Sequence, residues 1–347
     1  MTYRTFTIED PNSIQLDSGK KLPEITIAYH TFGELNAAKS NVILICHPLT
    51  GDSNAAQWWP KIVGENLPID TTKYFVICTN SLGGCYGSTG PSSIDPATNQ
   101  PYALDFPVIT IGDMVRVQRK LIDALGIEKI KMVIGGSMGG MQALEWVAQA
   151  PDVIESCVPI ASTTKVSPLA VAFDSVGRYS ILEQLRSGNG DAGLAVARQL
   201  GHITYLSEGA LEQKFSRHLQ DGDVYKYHLD PEFQVESYLN YQGNKFVDRF
   251  NLYSYLTLTK AVSYFDLEKT YGSIDTALGA SNARFLVLAI TSDWLYTVSQ
   301  SKALAYQLMK MNKHVSYVEI NSDYGHDTFL IDSEETKQVI KQFLGSL

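Results

Sequence analysis

Lys131-Met132-Val133-Ile134-Gly135-Gly136-Ser137-Met138-Gly139-Gly140-Met141 decides the architecture. Residues 131–134 have the apolar, β-branched character of a short strand. Glycines follow, and then Met141, Leu144 and Ala148 recur on one face of a helix that Pro151 stops. Between strand and helix lies Gly135-x-Ser137-x-Gly139. A serine on so abrupt a turn is held in a strained conformation that lifts its hydroxyl above the sheet, and flanking glycines let neighbouring backbone approach. The start of the following helix directs N–H groups at negative charge that develops there. Ser137 is therefore the candidate nucleophile.

The same alternation continues outward. Residues 25–30 alternate apolar and polar and predict a half-exposed strand. Residues 41–46 and 74–79 are continuous apolar runs, the pattern of strands buried on both faces. Met114, Val117, Leu121 and Leu125 predict a helix over 113–126 that Gly126 can end. Strands are predicted at 153–160, Arg284–Ile290 and Val315–Ile320, and helices at 300–311 and 334–344. Such alternation implies a mostly parallel sheet with helices on both faces. The middle differs: residues 165–280 show helical patterns rich in Tyr, Gln and Arg, broken by Gly188, Gly190, Gly222 and Pro231. The expected organisation is one catalytic domain built from 1–164 and 281–347, with 165–280 inserted as a helical lid over the strand ends.

Composition narrows the function. Among 347 residues, 28 Lys and Arg face 37 Asp and Glu, a net charge of −9 that argues against a nucleic-acid partner. No run of 18 apolar residues predicts a membrane helix, and residues 1–10 lack the apolar stretch of a secretory signal. With 44% hydrophobic residues the chain can build a sizeable core. Cys46, Cys78, Cys85 and Cys157 form no Cys-x-x-Cys pair, so no metal site is expected and the thiols read as reduced, in a cytoplasmic protein. Cys85 is the one candidate reactive thiol, and it reads as a small loop residue.

A serine hydroxyl is a weak nucleophile and needs a base. Of seven histidines, His326 has the right setting: a polar loop after the strand ending at Ile320 and before the last helix. That loop and Ser137 share the C-terminal edge of a parallel sheet. The orienting acid should fall between them in chain order. Asp293 leaves the strand ending at Ile290, whereas Asp266 and Asp275 follow no buried strand. An oxyanion hole needs two backbone donors. Met138, after the nucleophile, supplies one; Leu49, in the loop after the strand ending at Cys46, supplies the other, with His47 bracing that loop. A glycine-rich loop, 80–91, follows the strand ending at Thr79; without a Walker lysine it reads as a wall of the site rather than a phosphate cradle.

Several motifs together carry a specific likeness: His47-Pro48-Leu49-Thr50-Gly51-Asp52, Asn80 through Pro91, Gly135 through Gln142, Gly201-His202-Ile203-Thr204-Tyr205, Tyr241-Gln242-Gly243 with Lys245-Phe246, Ser292-Asp293-Trp294-Leu295-Tyr296, and Gly325-His326-Asp327. Over nearly its whole length the chain resembles the homoserine O-acetyltransferase family of the α/β-hydrolase superfamily. The resemblance implies an α/β-hydrolase fold and transfer of an acetyl group from acetyl-CoA, as cosubstrate, to the hydroxyl of L-homoserine in methionine biosynthesis. No permanently bound cofactor is implied, and a homodimer is. Ser137 would form an acyl-enzyme, His326 would act as base and Asp293 would orient it. Arg198 would bind the substrate carboxylate and Asp327 its ammonium, with Thr50 and Tyr205 assisting. A guanidinium fork suits a carboxylate. The plain alternatives are a solvated helix residue for Arg198 and a helix-start acid for Asp327. Pro48 and Thr297 depart from the family pattern, where alanine and proline are usual. Relatives in the family use succinyl-CoA or another hydroxyl amino acid, and a plain esterase with the same triad is the other alternative.

Overall fold

A computed structural model describes residues 3–331 and 334–347. Its centre is the strand that carries the serine. Eight strands form one sheet: β1 (Arg4–Thr7), β2 (Thr26–Phe32), β3 (Val42–Cys46), β4 (Phe75–Thr79), β5 (Met132–Gly136), β6 (Ser156–Ile160), β7 (Arg284–Ile290) and β8 (Val315–Ile320). Their order is β1-β2-β4-β3-β5-β6-β7-β8. The pairs from β4 through β8 are all parallel; β1 and β2 add an antiparallel edge. Alternate residues of the central strands enter two separate cores. Leu44, Val133, Cys157 and Val287 face one, and Ile43, Ile45, Ile134, Val158 and Leu288 the other. Burial on both faces is why these runs are continuously apolar.

Helices α1 (Ile111–Ala124) and α2 (Met138–Gln149) pack on the first face. The first begins two residues before the expected start because Thr110 and Asp113 form a capping box, which places Asp113 in the first turn. β5 runs on into Gly135 and Gly136, past the expected end at Ile134, since both glycines pair with flanking strands. β2 is buried, contrary to the half-exposed strand expected. The glycine-rich loop lies over it: Ser88 Oγ accepts from Ala28 N at 2.9 Å, and Asn80 N donates to Ala28 O at 2.7 Å. β1 was not legible, being a short, largely exposed edge strand.

The lid consists of α3 (Pro168–Arg186), α4 (Gly190–Tyr205), α5 (Glu208–Phe215), α6 (Gln234–Val247) and α7 (Leu252–Ser263). The chain enters and leaves it side by side. Val166 N donates to Phe265 O at 3.1 Å, Leu267 N to Thr164 O at 3.0 Å, and Lys165 pairs with Asp266 at 2.9 Å. The return crossing is therefore at 266, not at 280 as the sequence suggested. The short helices Leu267–Tyr271 and Ile274–Leu278 belong with the body, where the Tyr271 hydroxyl donates to Glu145 at 2.6 Å. Two further helices, α8 (Val298–Lys310) and α9 (Glu334–Gly345), complete the layers around the sheet.

The elbow explains its own glycines. A Cβ on Gly139 would stand 2.1 Å from the carbonyl oxygen of Cys46, and one on Gly135 would stand 2.4 Å from the backbone carbon of Gly139. Both obstacles are backbone, one in the central strand β3 and one in the first turn of α2, so neither can yield. Gly139→Ala is expected to cost at least about 3 kcal/mol of unfolding free energy. Urea titration measures this; a loss below about 1 kcal/mol would contradict the close approach.

Candidate active site

Ser137 sits between β5 and α2 with φ 56° and ψ −125°, a left-handed conformation that a side chain rarely adopts. The fold over-determines it. Ser137 N donates to Ile160 O at 2.9 Å, and Ser137 O accepts from Gly140 N and from Ser162 Oγ, each at 2.9 Å. Backbone bonds on both sides thus hold the hydroxyl over the strand ends.

His326 stands in a turn (Gly325–Leu330) after β8 and is buried. Gly325 before it has φ 73°, and a Cβ there would meet Tyr205 O and Ser207 N of the lid at 2.6 Å. The imidazole is thereby pressed between body and lid, with the rings of Tyr296, Phe329 and Tyr205 at 5.3, 5.5 and 5.9 Å. Its Nδ1 lies 2.7 Å from Asp293 Oδ2. The other oxygen of Asp293 accepts from Leu295 N and Tyr296 N, each at 2.9 Å, which fixes the carboxylate's direction. Burial alone would lower the imidazole pKa, but Asp293, by charge and hydrogen bond, and Asp327 outweigh it and leave His326 above its ordinary 6.5.

Ser137 and His326 line one cavity of about 290 Å³. Among the described residues the serine hydroxyl has no hydrogen-bond partner, so the two groups face a common space without yet being joined. Leu49 and Met138 line the same cavity. The Leu49 N–H has no acceptor among the described residues, and the Met138 N–H is the first of its helix, which no earlier turn can satisfy. His47 braces the Leu49 loop: its ring nitrogens meet Pro48 O at 2.8 Å and Ser81 N at 3.1 Å. Residues 80–91 do not line the cavity, which corrects their reading as its wall. They stand one layer back, and Asn80 Oδ1 accepts from Ser53 N at 2.6 Å. Burial pushes the Cys85 thiol up, away from nucleophilic character.

Arg198, Asp327, Thr50 and Tyr205 all line this cavity, and Asp327 is at the same time the acid in the first turn of Gly325–Leu330. The Arg198 guanidinium lies over the Phe246 ring at 4.7 Å and the Tyr205 ring at 5.7 Å. Among the described residues no carboxylate is within ion-pair distance of it, which leaves its hydrogen bonds for a ligand. Burial raises the Asp327 carboxyl, partly offset by His326 and Arg198. Burial also pushes the Tyr205 hydroxyl up to about 12.

Sequence reasoning missed Asp174, which lines the cavity from α3. The signal was present: Ala170, Gly177 and Ile181 form the buried stripe of that helix, and Asp174 falls within it. It also missed Arg249, whose Nη1 donates to Thr50 O and to the Tyr86 hydroxyl, each at 3.0 Å, tying the lid to the Leu49 loop.

The model of the alpha/beta hydrolase fold matches residues 41–333, so fold and sequence together define an α/β hydrolase. A homoserine O-acetyltransferase of Methanobrevibacter ruminantium is 50% identical over 98% of this chain and 73% of its own length. The crystal structure of homoserine O-acetyltransferase from Bacillus anthracis superposes with a TM-score of 0.91 at 26% identity, covering 99% of this chain and 97% of that one. Esterase E22 superposes as well, with a TM-score of 0.90 at 27% identity over 99% and 100%. The chain belongs to the homoserine O-acetyltransferase family.

Proposed function

We propose that this protein transfers an acetyl group from acetyl-CoA to the hydroxyl of L-homoserine through an acyl-enzyme on Ser137, giving O-acetyl-L-homoserine and CoA for methionine biosynthesis. The observation that carries the reading is that Arg198, with no carboxylate at ion-pair distance among the described residues, and the carboxylate of Asp327 share one cavity with Ser137 and His326. His326 takes the serine proton as the thioester is attacked, Asp293 holds the imidazole and stabilises its charged form, and the Leu49 and Met138 amides receive the oxyanion. CoA leaves. The homoserine carboxylate binds Arg198 and its ammonium Asp327, with Thr50 and Tyr205 beside them, and His326 deprotonates its hydroxyl for attack on the ester. Fixed placement of the acceptor lets it outrun water.

The likeness to esterase E22 favours hydrolysis as the second reading. Release of CoA from acetyl-CoA, measured with and without homoserine, separates the two. Release should depend on homoserine; release that ignores it means hydrolysis. Arg198→Ala should raise the KM for homoserine about 100-fold, the loss expected for a charge-assisted bidentate contact, and leave acylation by acetyl-CoA nearly intact.

Exposed apolar side chains on the lid, Leu169, Val176, Tyr179 and Leu182 of α3 with Val196 and Ile203 of α4, support a homodimer joined there. Four unpaired thiols support a reducing, cytoplasmic setting. Among the described residues no helix is long and apolar enough to cross a membrane.

A further inference from the structure

We propose that Asp174 sets the charge of the acyl group this site accepts: it admits uncharged acyl groups such as acetyl and disfavours those carrying a second carboxylate, such as succinyl. The inference rests on the acyl-transfer reading above and deepens it. Asp174 has no part in that chemistry, yet it stands in the cavity wall with Ser137 and His326.

Its surroundings are not those of a structural ion pair. Among the described residues no cationic nitrogen lies within ion-pair distance of its carboxylate. Among the described residues its carboxylate's one hydrogen bond comes from the Ser263 hydroxyl of α7, at 3.3 Å. That hydroxyl has a single proton and a nearer acceptor in Thr259 O at 2.9 Å. Arg178, on the same helix as Asp174, donates to Ser263 Oγ at 3.0 Å instead of to Asp174. The carboxylate is thus held in place without a cation at ion-pair distance among the described residues. Its charge is felt at the hydroxyls of Tyr205 from α4, Tyr255 from α7 and Tyr296 after β7. Tyr205 and Tyr296 are the rings that flank His326. Asp174 and His326 thus line one cavity with Tyr205 and Tyr296.

Three carboxylates, Asp52, Asp174 and Asp327, and two guanidiniums, Arg198 and Arg249, line the cavity, so acids are in excess by one. Arg249 is exposed and already tied to Thr50 O and Tyr86, and Arg198 faces Asp327. A cavity of about 290 Å³ keeps any charge bound in it within about one Debye length of its walls, where screening by salt is weak. A carboxylate carried in on an acyl chain is repelled by a charged Asp174 in the same cavity. Acetyl brings no such charge. Discrimination by an unpaired like charge acts on one donor and leaves the other alone.

Burial pushes the Asp174 carboxyl up to about 7, with Arg178 and Ser263 opposing. Below that value the group is neutral and the two donors differ less; above it the group is charged and they differ more. The other titratable groups around it are the three tyrosines and Arg178, and Arg198, His326, Asp52, Asp327 and Arg249 share its cavity. His326 must titrate identically for both donors, so the ratio of their kcat/KM values cancels it.

The test compares acetyl-CoA with succinyl-CoA, homoserine being the acceptor, in the wild-type protein and in Asp174→Asn between pH 6 and 8.5. At pH 8.5 the variant should shift the kcat/KM ratio toward succinyl-CoA at least about tenfold, the scale of one close like-charge contact. The wild-type ratio should approach the variant's as pH falls. An unchanged ratio in a folded Asp174→Asn protein overturns the proposal. Should the variant not fold, the wild-type ratio alone decides, and a ratio flat across this range overturns it. Failure of the acyl-transfer reading is distinct: neither donor would then acylate homoserine, at any pH.

Discussion

Ser137→Ala will lose about a million-fold in acetyl transfer while the protein remains folded. The magnitude is that of removing the nucleophile from a serine triad, where the remaining groups act only as a unit. The physical basis here is positional. Backbone bonds to Ile160, Gly140 and Ser162 hold residue 137 at φ 56°, and an alanine accepts the same hold because Cβ is retained. The variant should therefore bind acetyl-CoA but release no CoA in the first turnover. Stopped-flow detection of free thiol measures this, and a burst within tenfold of wild type would remove Ser137 from the mechanism.

Asp293→Asn should lower kcat about ten-thousand-fold, the scale for an orienting acid replaced by its amide. An amide at 2.7 Å from Nδ1 favours the wrong imidazole tautomer and supplies no charge for the imidazolium. The pH profile provides the second readout. His326 must be neutral to accept the serine proton, so acylation falls as pH drops through its pKa. In the wild type that pKa stands above 6.5, because Asp293 and Asp327 outweigh burial. Removal of the Asp293 charge leaves burial less opposed, and the acid limb of kcat/KM for acetyl-CoA should move to lower pH. A merely structural role for Asp293 would reduce the rate and leave the midpoint unmoved.

The part of the candidate site at the strand ends was legible because its residues follow strands. Ser137, Asp293 and His326 each leave the C-terminal end of a parallel strand, and a sheet gathers those ends on one edge. The edges of elements were less legible, because tertiary partners set them: Thr110 with Asp113 fixes the start of α1, and pairing with Cys46 and Ile160 extends β5 through two glycines. The lid was legible as helices but not as walls. Its residues gain meaning only from packing across helices, which is why Arg198 and Tyr205 entered through family likeness. Asp174 and Arg249 did not enter at all. The return of the lid at 266 was hidden for the same reason, since the pairing of Val166 with Phe265 joins residues far apart in sequence.

The most direct measurement mixes the protein with acetyl-CoA in the absence of homoserine, quenches in acid and maps the modified residue by mass spectrometry of its peptides. One acetyl group should appear on Ser137 and vanish when homoserine is added, with O-acetylhomoserine formed in equal amount. An unmodified Ser137 during active turnover, or acetyl on another side chain that homoserine discharges, would contradict the account.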